Sequence, residues 1–303
     1  MRPQRSTSTP SPHGFTLVEL MVVIVIISIL SSLMLAGLAG ARQRAKVDKT
    51  KSTIRKIHEI VMPQYESYLS RRLPDSIYTS TTNARQRASD KLGAIRTLTL
   101  YEMPDSWADV ALSGTSSQLS SGTIPSYAFS GLPVAYGAYR WGLRATLSDD
   151  YQSSECLYMA VSRYGAEAME NFRSDEIGDF DKDRAVEFTD GWGRPIAFIR
   201  WPIGFVYPYS PIQANSPVDA HDPFDPFRVE PQAFALTPLI YSAGADGDSA
   251  DGYGLKTFDG WSSCDRSQIF SVIDAGQKPG EPKNSTPNDY RDNVTNHDLM
   301  SKR

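Results

Sequence analysis

One carboxylate lies within an apolar segment near the N-terminus of this 303-residue chain. Between Phe15 and Ala41, the only ionisable side chain is that of Glu19. A charged group in hydrocarbon costs about 2.5–3.5 kcal/mol on insertion scales unless it finds a partner. The chemistry open to Glu19 is therefore ion pairing, and the N-terminal amine of a neighbouring identical helix is a suitable partner.

Such an amine would exist at the right height only if the chain were cut after Gly14. The sequence H-G-F-T-L-V-E-L around this point resembles the processing signal of type IV prepilins and type II secretion pseudopilins. In that family, a glycine precedes the cut, a phenylalanine becomes the methylated N-terminus, and a glutamate follows four residues later. The resemblance implies cleavage after Gly14, N-methylation of Phe15 and an assembly role for Glu19.

The apolar run 15–41 is long enough to cross about 30 Å of hydrocarbon as a helix, and it predicts a transmembrane segment. Residues 1–14 are polar and carry Arg2 and Arg5, as expected of a leader that stays in the cytoplasm and is removed. Two other interpretations stay open: a plain membrane anchor with an incidental glutamate, and a secretory signal cut after Ala41. The orientation also stays open, because basic residues follow the segment: Arg42, Arg44, Lys46, Lys49, Lys51, Arg55 and Lys56.

Residues 42–73 are predicted to continue the helix in amphipathic form. Their apolar positions recur at steps of three and four, and Pro63 is expected to interrupt the helix or open a further short helical turn. The stripe should hold an extracytoplasmic globular domain, residues 74–275, and residues 276–303 are predicted to form a polar, mobile tail. The stripe consists of Val47, Thr50, Ile54, Ile57 and Val61.

Within the globular domain, residues 75–130 are expected to contain loops, short helices and one strand, and residues 153–168 a second helix. Strands are predicted at 196–201, 233–241 and 268–274. The fold class is α+β and pilin-like: one long N-terminal helix packs on a small antiparallel sheet with long loops. The order D-G-W-G-R-P-I resembles the turn of major pseudopilins and implies a structural turn at Trp192, Gly193 and Pro195.

Three carboxylates, those of Asp246, Asp248 and Asp251, lie in a glycine-rich loop. Ca²⁺ takes six to eight oxygen ligands, which such a loop can supply. The spacing misses the EF-hand register by one residue. It resembles instead the Y-S-x-G-x-D-G loop of major pseudopilins, where calcium stabilises the C-terminal β region. The resemblance implies calcium as a cofactor here; the alternative is an Asp/Gly turn without metal.

Charge and cysteine content exclude some classes of function. A net charge of −4 offers no general basic surface for nucleic acid. Cys156 and Cys264 are the only cysteines, with no Cys-x-x-Cys, so thiolate metal clusters are poorly supported. The two cysteines can form one disulfide outside the cytoplasm, or remain two buried free thiols.

The resemblance implies a non-enzymatic structural subunit of a type II secretion pseudopilus or type IV pilus-like filament, most like a major pseudopilin with insertions at 75–130 and 202–231. Its expected partners are copies of itself, prepilin peptidase, an inner-membrane assembly platform and other minor pilins or pseudopilins. Its expected location is the bacterial inner membrane, crossed once, with the globular domain in the periplasm or in an extracellular filament.

Two alternative functions remain open at this point. A membrane-anchored extracytoplasmic enzyme with a serine triad would have to rely on His221 or His297. A binding protein could instead recognise carbohydrate or a secreted substrate through an aromatic loop. Its candidate residues are Tyr207, Tyr209, Phe224 and Phe227.

Overall fold

The computed structural model describes residues 14–78, 82–107, 109, 151–164, 167–245, 247, 254–257, 269–271, 276, 278–283 and 291–301. The chain divides into two compact units, Met1–Ala45 and Lys46–Arg303. Each unit is described by itself.

The first unit contains the beginning of helix α1, which runs from Leu17 to Ser67. Its apolar side chains are exposed in the single chain, and the mean hydropathy of its most apolar window is 2.7. The hydroxyls of Ser28 and Ser32 donate to the carbonyls of Ile24 and Ile29 at 2.7 and 2.8 Å. A helix this long and apolar can cross a membrane, and these two hydroxyl groups are bonded within the helix.

In the second unit, α1 buries one face in the globular core. Val61 and Tyr65 are 4% and 5% exposed, on either side of Pro63. Of the two outcomes expected at Pro63, interruption of the helix is wrong, because α1 continues beyond the proline for a further short turn and ends at Ser67. Proline removes one backbone donor, but burial of this face before and after it stabilises the helical path.

Helix α2, Ala84–Glu102, has 19 residues and is longer than the short helices expected in residues 75–130. Its N-terminus is capped by the side chain of Asn83, which accepts a hydrogen bond from the amide of Gln86 at 3.1 Å. The buried positions Ala88, Leu92 and Ile95 follow helical spacing. The signal was present in the sequence but was obscured by the polar residues around it.

Helix α3, Gln152–Tyr164, agrees with the predicted second helix apart from its earlier end. The strands are β1 (Ile177–Gly178), β2 (Glu187–Phe188), β3 (Ala197–Ile199), β4 (Leu239–Ser242) and β5 (Val294–Thr295). β1 and β2 form an antiparallel pair, and β3, β4 and β5 form an antiparallel sheet in that order. The predicted α+β class, a long N-terminal helix with a small antiparallel sheet, is confirmed.

The last strand and helix correct the prediction of a mobile tail at 276–303. β5 pairs with β4, and helix α4, Asn296–Met300, follows it directly. Asn296 and His297 are fully buried. Thr295 caps α4 by accepting a hydrogen bond from the amide of Asp298 at 3.1 Å. Two buried polar residues in a polar sequence gave no hydrophobic signal, so the tail was predicted to be undocked.

The strand predicted at 268–274 is also wrong where it can be compared. Ile269 and Phe270 lie in a turn and Ser271 is helical. Both apolar side chains are buried, at 1% exposure, against Trp201 and Phe234. Apolar residues in an irregular buried loop give the same short apolar run as a strand, so the pattern alone could not separate the two.

Candidate functional site

The N-terminal processing signal lies at the start of α1. Gly14, Phe15 and Thr16 precede the first helical turn, and the Phe15 side chain is 78% exposed. The Glu19 carboxylate accepts hydrogen bonds from the amide and the hydroxyl of Thr16, both at 2.9 Å. In return, the amide of Glu19 donates to the Thr16 hydroxyl at 3.2 Å.

This exchange is a capping box, with Thr16 at the cap and Glu19 at the third helical position. The capping box provides acceptors for backbone N–H groups of the first turn, which have no acceptor within the helix. It does not involve an ion pair between the Glu19 carboxylate and a cation. Sequence reasoning did not consider Thr16, although T-x-x-E before an apolar run is the signature of this cap. Glu19 therefore has a local partner in the single chain and remains exposed for a second one.

Comparison with known proteins identifies the segment that contains these residues. Residues 11–35 match the family model of the prokaryotic N-terminal methylation motif. This motif is characteristic of pilin-like precursors that prepilin peptidase processes, and it implies assembly of the pilin type. It includes Gly14, Phe15 and Glu19 and most of the apolar part of α1 that is consistent with membrane anchoring. No curated protein and no solved structure gives a significant match to the chain.

The predicted structural turn lies between β2 and β3. Gly193 has φ +81, and Pro195 is buried, but Trp192 is only half-buried. The side chain that organises the turn is Asp190, the aspartate of the D-G-W-G-R-P-I order. Its Oδ1 accepts from the amides of Trp192 and Arg194 at 2.8 and 2.9 Å, and its Oδ2 accepts from the Ser242 hydroxyl at 2.6 Å.

The turn also contacts α1. The amide of Gly191 donates to the hydroxyl of Thr50 at 2.9 Å. A Cβ atom at Gly191 would collide with the backbone of Lys46, so only glycine allows this close approach. The turn therefore ties the sheet to the helix.

The proposed calcium ligands Asp246, Asp248 and Asp251 lie outside the described residues. At the described edge of their loop, Arg194 donates to the carbonyls of Gly244 and Ala245 at 3.0 and 3.4 Å. A side chain at Gly247 would collide with the same guanidinium group. A cationic side chain thus already uses two carbonyls at the entrance of this loop.

Cys156 is a fully buried free thiol, and Cys264 lies outside the described residues. The pairing of the two cysteines therefore stays a prediction, with Cys156 a free thiol in the described part of the chain. Burial raises the pKa of this thiol well above its ordinary value, and the nearby carboxylates of Asp109 and Asp105 raise it further. A thiol held protonated in this way is unreactive.

Ser210 and His297 form a buried pair that bears on the enzyme alternative. The Ser210 hydroxyl lies 2.8 Å from Nδ1 of His297, and Nε2 lies 3.2 Å from the carbonyl of Thr237. A carbonyl only accepts, so Nε2 carries the proton and Nδ1 accepts from the hydroxyl. Both side chains are 2% exposed or less, and a nucleophile must reach its substrate. The pair holds α4 in place.

The aromatic loop separates into packed and exposed side chains. Phe224 packs edge-on against Tyr65 with ring centroids 5.3 Å apart, and Tyr209 stacks on Phe205 at 6.5 Å. Tyr207 and Phe227 are 76% and 72% exposed. Half of the predicted binding residues are therefore structural.

A group of acidic side chains lies between α3 and the loop joining β1 to β2. We define the acidic cluster as Glu155, Asp181, Asp183 and Glu187. One carboxylate oxygen from each of Glu155, Asp181 and Asp183 lies within 4.8 Å of the other two. Glu155 and Glu187 are fully buried. The alternating spacing of Asp179, Asp181 and Asp183 was the available sequence signal.

The electrostatics of the acidic cluster reflect burial and mutual repulsion. Burial raises the pKa of Glu155 to about 8, and the charges of Asp183, Asp181 and Glu187 add to the effect. Burial likewise raises the pKa of Glu187 to about 7. The nearby indole N–H of Trp107 lowers the pKa of Glu155 and so offsets part of this rise. In the described part of the chain, the indole N–H and the Glu155 carboxylate are not close enough or well enough aligned to form a hydrogen bond.

Proposed function

We propose that this chain is a structural subunit of a pilus-like filament or a type II secretion pseudopilus. Prepilin peptidase cuts it after Gly14, Phe15 is N-methylated, and the mature subunit assembles through α1. The observation that carries the proposal is the methylation motif at residues 11–35, joined to an apolar helix whose one carboxylate is Glu19. The likeness to a major pseudopilin rests only on the turn and on the Asp246 to Asp251 loop.

The role proposed for Glu19 follows from its surroundings. In lipid, a carboxylate exposed on a helix is costly, and the capping contact with Thr16 leaves it charged. Cleavage creates an amine at Phe15, and an ion pair between that amine and Glu19 of a neighbouring copy neutralises both groups as they leave water. The role is non-catalytic, and self-association is the interaction that it serves.

The location that we propose is the bacterial inner membrane, crossed once by α1, with the globular unit on the periplasmic side or in an extracellular filament. Partners in assembly would be the inner-membrane platform and other minor pilins or pseudopilins. Protease protection in intact spheroplasts tests the orientation. Digestion of the globular unit from outside supports the proposal, and its protection inside contradicts it.

Glu19→Ala tests the assembly role. We expect normal cleavage at Gly14 and loss of sheared or cross-linked filaments, because the amine of each subunit loses its partner. Asp48→Ala is the matched control, since Asp48 is an exposed carboxylate on the same helix beyond the apolar segment. Thr16→Ala removes the cap but keeps the carboxylate. Normal filaments from Glu19→Ala, or equal loss from Asp48→Ala, would contradict the role.

We also keep calcium at the Asp246 to Asp251 loop as part of the proposal. Its support is the clustering of three carboxylates among glycines. The Arg194 contacts at the edge of the loop are a competing way to satisfy its carbonyls.

A further inference from the structure

The acidic cluster contains a buried carboxylate with no hydrogen-bond partner in the part of the chain that the structure describes. Glu155 is 0% exposed, and neither of its carboxylate oxygens has a hydrogen-bond partner among the described residues. Burial of an unpaired charge is costly, so buried charges are normally paired or bound to metal. In its charged form, Glu155 therefore needs a cation beside it, and without one its raised pKa favours the protonated form.

Three carboxylate oxygens of the cluster are close enough to one another to bind a single ion. Those of Glu155, Asp181 and Asp183 lie within 4.8 Å of one another. Ligands on opposite sides of a Ca²⁺ ion with bonds of about 2.3–2.6 Å would be about 4.6–5.2 Å apart. A single ion can thus contact all three carboxylates without a large rearrangement.

Backbone amides of the loop between β1 and β2 donate to one oxygen of each carboxylate and leave the second oxygen of Asp181 and of Glu187 available to bind an ion. Oδ1 of Asp181 accepts from the amide of Asp183 at 3.2 Å, and Oε2 of Glu187 accepts from the amide of Phe180 at 3.1 Å. Their second oxygens, Oδ2 of Asp181 and Oε1 of Glu187, are buried without a partner in the described part of the chain. Oδ1 of Asp183 accepts from the amide of Ala185 at 2.8 Å.

No protein cation described in the structure neutralises this convergence. Lys182 and Arg184 belong to the same loop, but both are exposed and neither forms an ion pair with the cluster among the described residues. The charged groups that act on Glu155 are all acidic: Asp183, Asp181 and Glu187. Apart from the proton that the raised pKa of Glu155 favours, an external cation is the remaining way to balance the charge.

We propose that Glu155, Asp181 and Asp183 bind one divalent cation, with Glu187 adjacent as a fourth carboxylate, and that this cation is Ca²⁺. The donors are all carboxylate oxygens, which suit hard cations and not zinc or copper. Ca²⁺ also tolerates irregular geometry, whereas Mg²⁺ demands a near-ideal octahedron. The ion would fasten α3 to the β1–β2 loop. The site shares no residue with the Asp246 to Asp251 loop and does not depend on filament assembly.

The test is the number of Ca²⁺ ions bound per full-length chain in detergent, measured by equilibrium dialysis. Thermal unfolding with and without Ca²⁺ is followed in parallel. At Ca²⁺ about 100-fold above its dissociation constant, we expect a rise in Tm of about 5–10 °C. Terbium, whose luminescence Trp107 can sensitise, serves as a probe that Ca²⁺ should displace.

Glu155→Gln is the main variant because it keeps the side-chain shape and removes a buried charge, so its metal-free form should fold. We expect Glu155→Gln to bind one Ca²⁺ ion fewer per chain than wild type and to show no rise in Tm with Ca²⁺. The double variant with Asp181→Asn and Asp183→Asn should behave in the same way. Asp219→Asn changes an exposed carboxylate elsewhere and is the control.

A variant with Asn at all three of Asp246, Asp248 and Asp251 distinguishes this site from the other loop. It should still bind the Ca²⁺ ion that Glu155→Gln loses. The proposal is overturned if wild type binds no Ca²⁺, or if Glu155→Gln retains every equivalent and the full rise in Tm.

Discussion

Glu176 and Asp175 are adjacent carboxylates that bind α1 in the same way but at different depths. Asp175 lies 2.8 Å from Lys49 with 48% of its side chain exposed, and Glu176 lies 2.8 Å from Lys56 with 3% exposed. Glu176 also accepts from the hydroxyl of Thr53 at 2.8 Å and from the amide of Arg173 at 2.7 Å. Replacing each acid by its amide therefore compares a buried and an exposed contact at nearly one position.

The magnitudes follow from burial. Breaking a buried ion pair costs about 3–5 kcal/mol, but Lys56 is 28% exposed and can regain water, so we expect about 2–3 kcal/mol for Glu176→Gln. Solvent screens an exposed pair, and Arg173, the second partner of Asp175, is exposed as well, so we expect a much smaller loss for Asp175→Asn. For a unit of this size, these losses lower Tm by about 4–12 °C and by less than about 4 °C, respectively.

Thermal unfolding of the detergent-solubilised chain, followed by near-ultraviolet circular dichroism, measures both losses. A pH series adds a second readout. Burial acts to raise the pKa of Glu176, but its hydrogen bonds to Arg173, Lys56 and Thr53 outweigh burial and hold the pKa below the ordinary value. Its contribution is therefore present above the unfolded pKa and declines as pH falls, and Glu176→Gln should lack that decline. Equal losses in the two variants would refute the reasoning from burial.

Three further predictions concern the turn and the C-terminus. Gly191→Ala should lower the free energy of unfolding in urea by more than about 2 kcal/mol, because the added Cβ would collide with the backbone of Lys46. Gly193→Ala meets no atom and should cost only about 1–2 kcal/mol, the strain of a side chain at its positive φ. Equal costs in the two variants would contradict the close approach at Gly191. Burial lowers the pKa of His297 to about 4, so the unfolded chain binds a proton at this residue before the folded one does, and the free energy of unfolding should fall by up to about 3 kcal/mol between pH 6.5 and pH 4. His297→Gln should remove this pH dependence. An unchanged pH dependence in the variant would contradict the assignment to His297. Ending the chain before Val294 removes β5 and α4 and should lower Tm by more than about 5 °C, whereas an unchanged Tm would restore the mobile-tail interpretation.

The sequence predicted those features that a periodic or specific local pattern encodes. The apolar run predicted a helix from Phe15, close to the observed start of α1 at Leu17, and the spacing of Ile54, Ile57 and Val61 predicted the face that α1 buries. Helix α3 and strands β3 and β4 were expected near their observed places because their apolar runs are bounded by glycine and proline. In each case, local sequence and tertiary environment favour the same structure.

Features that depend on buried polar side chains were missed. Arg96 in α2 pairs with Asp222 and Glu230 at 2.7 Å, and all three are buried. A polar residue that is buried through a distant partner looks like a surface residue in one sequence, which is why α2 and α4 went unpredicted. The acidic cluster was missed for the same reason, since Glu155 reaches the β1–β2 loop only in the folded chain.

The mass of the mature N-terminal peptide tests the central claim most directly. The account predicts that the chain isolated from its native membrane begins at Phe15 and that this residue carries an N-methyl group. A chain that retains residues 1–14, or one that begins after Ala41, would contradict it.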